Sequence, residues 1–159
     1  MIRVGLGRDL HRLVEGRRFL LGGVEIPFDK GELGHSDADV LAHAVCDAIL
    51  GAAGLADIGE LYPPDDPTWK DSDSIELLKD AWRRVKALGW RVVNMDCTVC
   101  CEQPKILPYR KAICRSLAEA LELEPGCVFV KGKTNEGLGS AGEAVEALAV
   151  CLLEREERR

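Results

Sequence analysis

An α+β fold, a single domain over residues 1–159 with a mixed β-sheet covered by helices, is predicted by three observations. Strand-like and helix-like patterns interleave along the chain, with no repeat, low-complexity tract or obvious linker between them. A length of 159 residues suffices for one buried core without disulfide or metal staples. A composition of 47% hydrophobic and 30% charged residues belongs to a globular protein.

The elements follow in order. Ile2 to Arg8 is an apolar run of strand character, and Arg18 to Phe28 reads as a short strand pair broken at Gly22-Gly23. Pro27 has no amide hydrogen and confines that pair to an edge or an end. Ser36 is suited to cap the next helix, with Asp39 at its third position, where a carboxylate answers free amides and the positive end of the dipole. Val40, Leu41, Ala44, Val45, Ala48, Ile49, Ala52 and Ala53 recur at helical spacing. They leave Asp39, His43 and Asp47 in an i, i+4, i+8 row away from the centre of the apolar stripe. Gly54 and the turn Asp57-Ile58-Gly59 end this helix, and the prolines between Tyr62 and Pro67 make the next segment irregular.

Ser74 to Leu88 is a second helix, apolar at Ile75, Leu78, Ala81, Trp82 and Val85. Trp90 to Cys101 is a long central strand, Pro108 to Leu123 a third helix, and Cys127 to Lys131 another strand. The segment from Glu143 to Arg158 suits two forms. Its alanine, glutamate and leucine content favours helix, whereas Val145, Ala147, Ala149, Cys151 and Leu153 alternate as in a strand.

Charge and cysteine usage narrow the function classes. Lys and Arg number 21 against 27 Asp and Glu, a net charge of -6, which argues against a nonspecific nucleic-acid or anionic-membrane binder. No stretch has the pattern of a signal peptide or the apolar length of a membrane span, so the cytoplasm is the expected compartment. The seven cysteines lack the framework of a small secreted domain and are expected as thiols. Cys97 and Cys100 form one C-x-x-C spacing, but inside a strand-like run and without a second such pair, which favours packing over metal or redox chemistry.

Candidate chemistry gathers in polar segments. A strand puts Asp9 and His11 on one side, where both can meet a single metal ion. His43 would complete one carboxylate and two imidazoles, the three-ligand pattern of a catalytic zinc with an open fourth position. An aspartate and a histidine two apart also occur without any ligand role, and His43 could be a residue at the edge of the core. His35, just before the Ser36 cap, stands where helix amides attract phosphate, or else simply closes a turn. Thr134, Asn135 and Glu136 bring a hydroxyl, an amide and a carboxylate into one glycine-flanked loop, suited to phosphate and magnesium.

In order and spacing these segments resemble the 2-C-methyl-D-erythritol 2,4-cyclodiphosphate synthase family of the non-mevalonate isoprenoid pathway over almost the whole chain. The resemblance rests on Gly5-Leu6-Gly7-Arg8-Asp9-Leu10-His11-Arg12-Leu13, Gly22-Gly23-Val24-Glu25-Ile26-Pro27, and the run from His35-Ser36-Asp37-Ala38-Asp39 through Asp57-Ile58-Gly59. Gln103-Pro104-Lys105-Ile106-Leu107-Pro108 and Lys133-Thr134-Asn135-Glu136-Gly137-Leu138-Gly139 complete it.

The resemblance implies a lyase that cyclises 4-diphosphocytidyl-2-C-methyl-D-erythritol 2-phosphate and releases CMP, the 2-phosphate attacking the β-phosphorus. It implies a zinc or other divalent cation on Asp9, His11 and His43, and a magnesium or manganese on Glu136 bridging the diphosphate. His35 and Thr134 would stabilise the transition state, with Leu10 and Ser36 also near the substrate. Asp57, Ile58 and Gly59 would hold the methylerythritol portion, beside a substrate loop of Tyr62, Pro63, Pro64, Asp65 and Asp66. Cys101, Glu102, Gln103, Pro104, Lys105, Ile106 and Leu107 would form the cytidine pocket, with Lys133 and Asn135 nearby. The family's assembly implies a homotrimer with sheets toward the centre and active sites between subunits, which favours the strand form of the C-terminal segment. One stretch departs: Ser140-Ala141-Gly142-Glu143 is about two residues short and lacks the family's aromatic residue and phosphate-contacting arginine. On the residues alone, a noncatalytic nucleotide- or metal-binding trimer and a metal-dependent phosphate-ester hydrolase stay open.

Overall fold

The computed structural model describes residues 1–155 apart from His35, Pro64, Lys70 and Asp71. Its main sheet has five strands: β1 (Ile2–Glu15), β4 (Lys30–Leu33), β5 (Arg91–Cys100), β6 (Val128–Lys133) and β7 (Ala144–Glu154). They lie in the order β4-β1-β7-β5-β6, and all neighbours are antiparallel except the parallel pair β5 and β6. The sheet is therefore mixed. A separate hairpin joins β2 (Phe19–Leu21) to β3 (Val24–Ile26) through Gly22-Gly23, both at positive φ as a two-residue hairpin turn needs. The helices are α1 (Val40–Ala53), the short α2 (Ile58–Leu61), α3 (Ser74–Ala87) and α4 (Arg110–Ala120).

The C-terminal segment is a strand despite its helical composition. β7 pairs with β1 on one side and β5 on the other, and its alternate residues Val145, Ala147, Ala149, Cys151 and Leu153 are fully buried. Two ladders of backbone hydrogen bonds outweigh a local propensity of a few tenths of a kcal/mol per residue. β1 runs to Glu15 rather than stopping at Arg8, because β7 supplies partners as far as Arg12 and β4 continues from there. The third helix is shorter than Pro108 to Leu123: a tight turn occupies Leu107–Tyr109, and the chain leaves the helix at Leu121 before Glu122 takes a positive φ.

The start of α1 corrects the expected cap. Asp39, extended at φ −68 and ψ 95, is the N-cap and accepts from the amides of Leu41 and Ala42, while Ser36 accepts from the Ala38 amide one step earlier. Nor does Asp39 lie on a polar face. It is fully buried and also takes the Gly22 and Gly23 amides, at 2.9 and 2.6 Å, tying the hairpin turn to the helix. Four amides around one carboxylate explain why an acidic group is tolerated there.

Helix α1 sits unusually close to β1. A Cβ on Gly5 would lie 1.9 Å from the Ala48 carbonyl oxygen, and one on Gly7 would lie 1.8 Å from that of Ala44. Only glycines on the strand and alanines on the helix permit this contact. The opposite sheet face is bare, with Ile2, Val4, Leu6 and Leu10 of β1 and Val150 of β7 exposed.

Candidate metal centre

Asp9 and His11 lie on the helix-facing side of β1, two residues apart, and His43 comes down from α1 to meet them. His11 Nε2 is 3.1 Å and His43 Nδ1 3.0 Å from the same Asp9 oxygen, Oδ2. The two rings meet edge to face with centroids 5.3 Å apart. Asp9 Oδ1 accepts the Leu10 amide at 2.8 Å, which leaves Oδ2 for the histidines.

Hydrogen bonding assigns the proton on His11. Its Nδ1 is 2.8 Å from the Ala38 carbonyl oxygen, a group that can only accept, so Nδ1 carries a hydrogen and Nε2 is the nitrogen left to face Asp9. Ala38 presents that carbonyl from a left-handed conformation, φ 60, and is fully buried. A Cβ on Gly34 would come within 2.7 Å of the Ala38 Cβ, so glycine is needed opposite it. A non-glycine residue held in this region costs of order 1 kcal/mol, which the surrounding contacts must offset.

Beneath His11 lies Glu32, fully buried. Its Oε2 accepts the Val40 amide at 2.7 Å and stands 3.3 Å from His11 Nδ1, while Oε1 has no partner among the described residues. Burial pushes its carboxyl up to about 8 against the pull of His11. For His11 itself, burial disfavours charge, but bonds to Asp9 and Glu32 outweigh it and raise the imidazole to about 10. Burial opposes charge on Asp9 too, and hydrogen bonds from His11 and His43 override it, holding the carboxyl below its ordinary range. The site thus demands positive charge. One carboxylate oxygen and two ring nitrogens, all within 4.8 Å of one another, fit a divalent cation of the zinc kind.

These residues stand in the wall of an open cavity of about 560 Å³. Ser36, Asp47, Ile58, Gly59 and Tyr62 also line it, as do Leu33, Gly34, Trp69 and Leu77. Asp47 accepts the Ile58 amide at 2.8 Å, and Asp57 caps α2 through the Glu60 amide, so the Asp57-Ile58-Gly59 turn is anchored to α1. Tyr62 is held by its hydroxyl on Asp80 at 2.8 Å and by its ring edge on Trp69. The Leu10 side chain lies on the other sheet face, and Pro63, Asp65 and Asp66 continue past Tyr62 without lining the cavity. His35 and Pro64 lie outside the described residues.

The remaining expected site residues form a second patch. Cys101 and Ile106 are buried under it, Ile106 lying against Gly132, and Cys101 donates its amide to the Lys133 carbonyl. Glu102 accepts the Asn135 amide at 2.8 Å, and the Thr134 hydroxyl donates to Glu136 at 2.9 Å. Neither Thr134 nor Glu136 lines the metal cavity. Asp9 pairs with Ala147, Ala147 with Val99, and Val99 with Gly132, so the two patches lie along one row across the sheet. Three strand spacings separate them, about 14 Å.

Several residues of the pocket carry no local signal. Glu32, Asp37 and Ser74 reach it by contacts across the fold, which local spacing does not reveal.

Comparison with known proteins agrees with the geometry. The model of the YgbB family matches residues 2–154. The chain is 53% identical over 154 residues to the 2-C-methyl-D-erythritol 2,4-cyclodiphosphate synthase of Treponema denticola, covering 96% of each chain. A solved 2C-methyl-D-erythritol-2,4-cyclodiphosphate synthase in its CDP-bound form superposes with a TM-score of 0.90 at 41% identity, covering 96% of this chain and 100% of that one. The bifunctional IspDF of Campylobacter jejuni superposes with a TM-score of 0.94 at 42% identity; 99% of this chain matches, and it spans 43% of that longer protein. With the Asp9, His11 and His43 cluster in place, these matches make the chain a member of the YgbB family, the family of the 2-C-methyl-D-erythritol 2,4-cyclodiphosphate synthases.

Proposed function

We propose that the chain converts 4-diphosphocytidyl-2-C-methyl-D-erythritol 2-phosphate to 2-C-methyl-D-erythritol 2,4-cyclodiphosphate and CMP, in the cytoplasm, within isoprenoid precursor synthesis. A 2-phosphate oxygen bonds to the β-phosphorus, the bond from that phosphorus to the bridging oxygen breaks, and CMP leaves with the electron pair. Carrying this reading is the cluster of Asp9 Oδ2, His11 Nε2 and His43 Nδ1 in the wall of a substrate-sized cavity.

Asp9, His11 and His43 hold a divalent cation, zinc on the chemistry of the ligands. When bound, it withdraws charge from phosphate oxygens as a Lewis acid. Ser36 and the Asp57-Ile58-Gly59 turn position the phosphorylated methylerythritol, and Tyr62, Pro63, Pro64, Asp65 and Asp66 bound it. Cys101 to Leu107, with Lys133 and Asn135, receive the cytidine. Glu136 would hold a magnesium or manganese ion, which would supply positive charge to the diphosphate, and His35 and Thr134 would donate to the phosphoryl oxygens as charge moves. No protein nucleophile is required, since alignment and charge neutralisation carry most of phosphoryl transfer.

A homotrimer follows from the same reading. Ile2, Val4, Leu6, Leu10 and Val150 leave an apolar sheet face that a second copy would cover. The gap of about 14 Å between the two patches of one chain is closed if a neighbour's Thr134 and Glu136 meet this chain's metal pocket. Among the described residues, no helix is long and apolar enough to cross a membrane.

The test is to incubate the purified protein with zinc, magnesium and the proposed substrate and follow phosphorus resonances. CMP and the cyclic diphosphate are expected in equal amounts. An acyclic phosphate product would indicate hydrolysis, and no turnover by folded, metal-loaded protein would refute the assignment.

A further inference from the structure

The face of His43 turned away from Asp9 meets two serines. His43 Nε2 is 2.9 Å from Ser74 Oγ and 3.0 Å from Ser36 Oγ. Ser74 is the first residue of α3 and is fully buried. Its hydroxyl donates to Asp37 Oδ1 in a short hydrogen bond, and its amide donates to Asp37 Oδ2 at 3.1 Å. The Asp39 amide also reaches Asp37 Oδ1, at 3.3 Å, so both Asp37 oxygens are acceptors.

A hydroxyl has one hydrogen and two lone pairs. Because Asp37 takes the hydrogen of Ser74, Ser74 Oγ can only accept at its other contacts. Ser36 has no such restriction: its oxygen accepts the Ala38 amide at 3.1 Å, and its hydrogen is free to turn to Ser74 Oγ, 3.2 Å away, or to His43. Left with Ser36 alone, His43 could accept at Nε2, carry its hydrogen on Nδ1 and point it at Asp9. That form has no lone pair for a metal. Ser74 removes the choice, since an Nε2 hydrogen is what its lone pair requires.

We infer that Ser74, oriented by Asp37, is a positioning residue that holds the hydrogen of His43 on Nε2 and so keeps its Nδ1 lone pair turned to the metal. Ala38 does the opposite for His11, fixing hydrogen on Nδ1 and freeing Nε2. The two histidines therefore present different nitrogens to one point, each selected by an acceptor behind it. Such outer partners change metal affinity by roughly 10- to 100-fold in other sites. The inference rests on the metal role proposed for Asp9, His11 and His43.

Zinc affinity, measured on the chelator-stripped full chain by competition with a chromophoric chelator, tests it without turnover. Ser74→Ala is expected to weaken zinc binding about tenfold, the low end of that range because Ser36 remains. In the zinc-bound protein the Nε2 hydrogen of His43, deprived of its acceptor, should exchange with water faster than in the parent. Asp37→Asn should weaken zinc similarly, and the double variant should lose little more than either alone, because Asp37 acts through Ser74. Folded Ser74→Ala that binds zinc within about twofold of the parent and keeps the parental exchange rate at His43 Nε2 would overturn the role of Ser74. Should that variant fail to fold, unchanged affinity in Asp37→Asn would overturn it instead. Additive losses in the double variant would detach Asp37 from Ser74. Absence of zinc binding by the parent chain would reject the metal centre itself, a result separate from any of these.

Discussion

The metal pocket and the loop after β6 differ in how their polar groups are satisfied. Around Asp9, His11 and His43 the oriented groups have partners behind them: the buried Ala38 carbonyl, Glu32 and Ser74, and the half-buried Asp37. In the loop, Thr134 and Glu136 are exposed and bond mainly to each other, with Glu102 as the outside anchor. The pocket is built before a ligand arrives. The loop lacks such backing, as expected if the site is shared between subunits as proposed.

The largest expected effect separates the two regions by substitution. His43→Ala should abolish stoichiometric zinc, read by metal analysis, and lower turnover about a thousandfold, equivalent to about 4 kcal/mol of transition-state stabilisation. Glu136→Ala should lower turnover about a hundredfold and leave the zinc content intact. Loss of zinc in the second variant would erase the distinction between pocket and loop.

Mixing the two inactive variants sharpens it further. If each site joins the pocket of one chain to the loop of the next, random reassembly of equal amounts into trimers leaves about a quarter of the sites with both wild-type parts. Denaturing and refolding the mixture should then recover about a quarter of the parental activity. A mixture as inactive as its components would place the whole site within one chain.

The smallest effect concerns pH in the metal-free protein. His11 is raised to about 10, so its contribution to stability is whole below its unfolded value, about 6.5, and is lost as pH rises through about 10. Glu32, raised to about 8, acts with the same sign from about 4.5 upward. The melting temperature should fall by several degrees between pH 7 and 10, and zinc, which takes the place of the proton, should flatten that fall. Equal slopes with and without zinc would contradict the link between the proton and the metal position.

Local patterns made part of this legible. Period-two spacing put Asp9 and His11 on one side of a strand, and helical spacing put His43 on a helix, so the ligands could be named before their meeting was known. The fold class and most elements followed from the same periods. What pattern missed was set across the chain. The C-terminal segment satisfied both a helical composition and a strand alternation, and only its place between β1 and β5 decides. Ser36 read as the cap with Asp39 at the third helical position, whereas Asp39 is the cap, and the hairpin turn adds two amides to it. Asp37 and Ser74 lie 37 residues apart, beyond any local motif.

The closeness of α1 to β1 has a consequence for the choice of metal. Asp9 is two residues from Gly7, and His43 adjoins Ala44, whose carbonyl faces Gly7. The separation of helix and strand therefore works as a gauge for the gap between the ligands. A methyl on Gly7 would force the two apart by about 1.5 Å to restore ordinary contact, against a tolerance in metal-ligand distances of about 0.2 Å. What sizes the ion is thus a spacer with no side chain, outside the coordinating set. Gly7→Ala is therefore expected to abolish zinc binding with all three ligands unchanged.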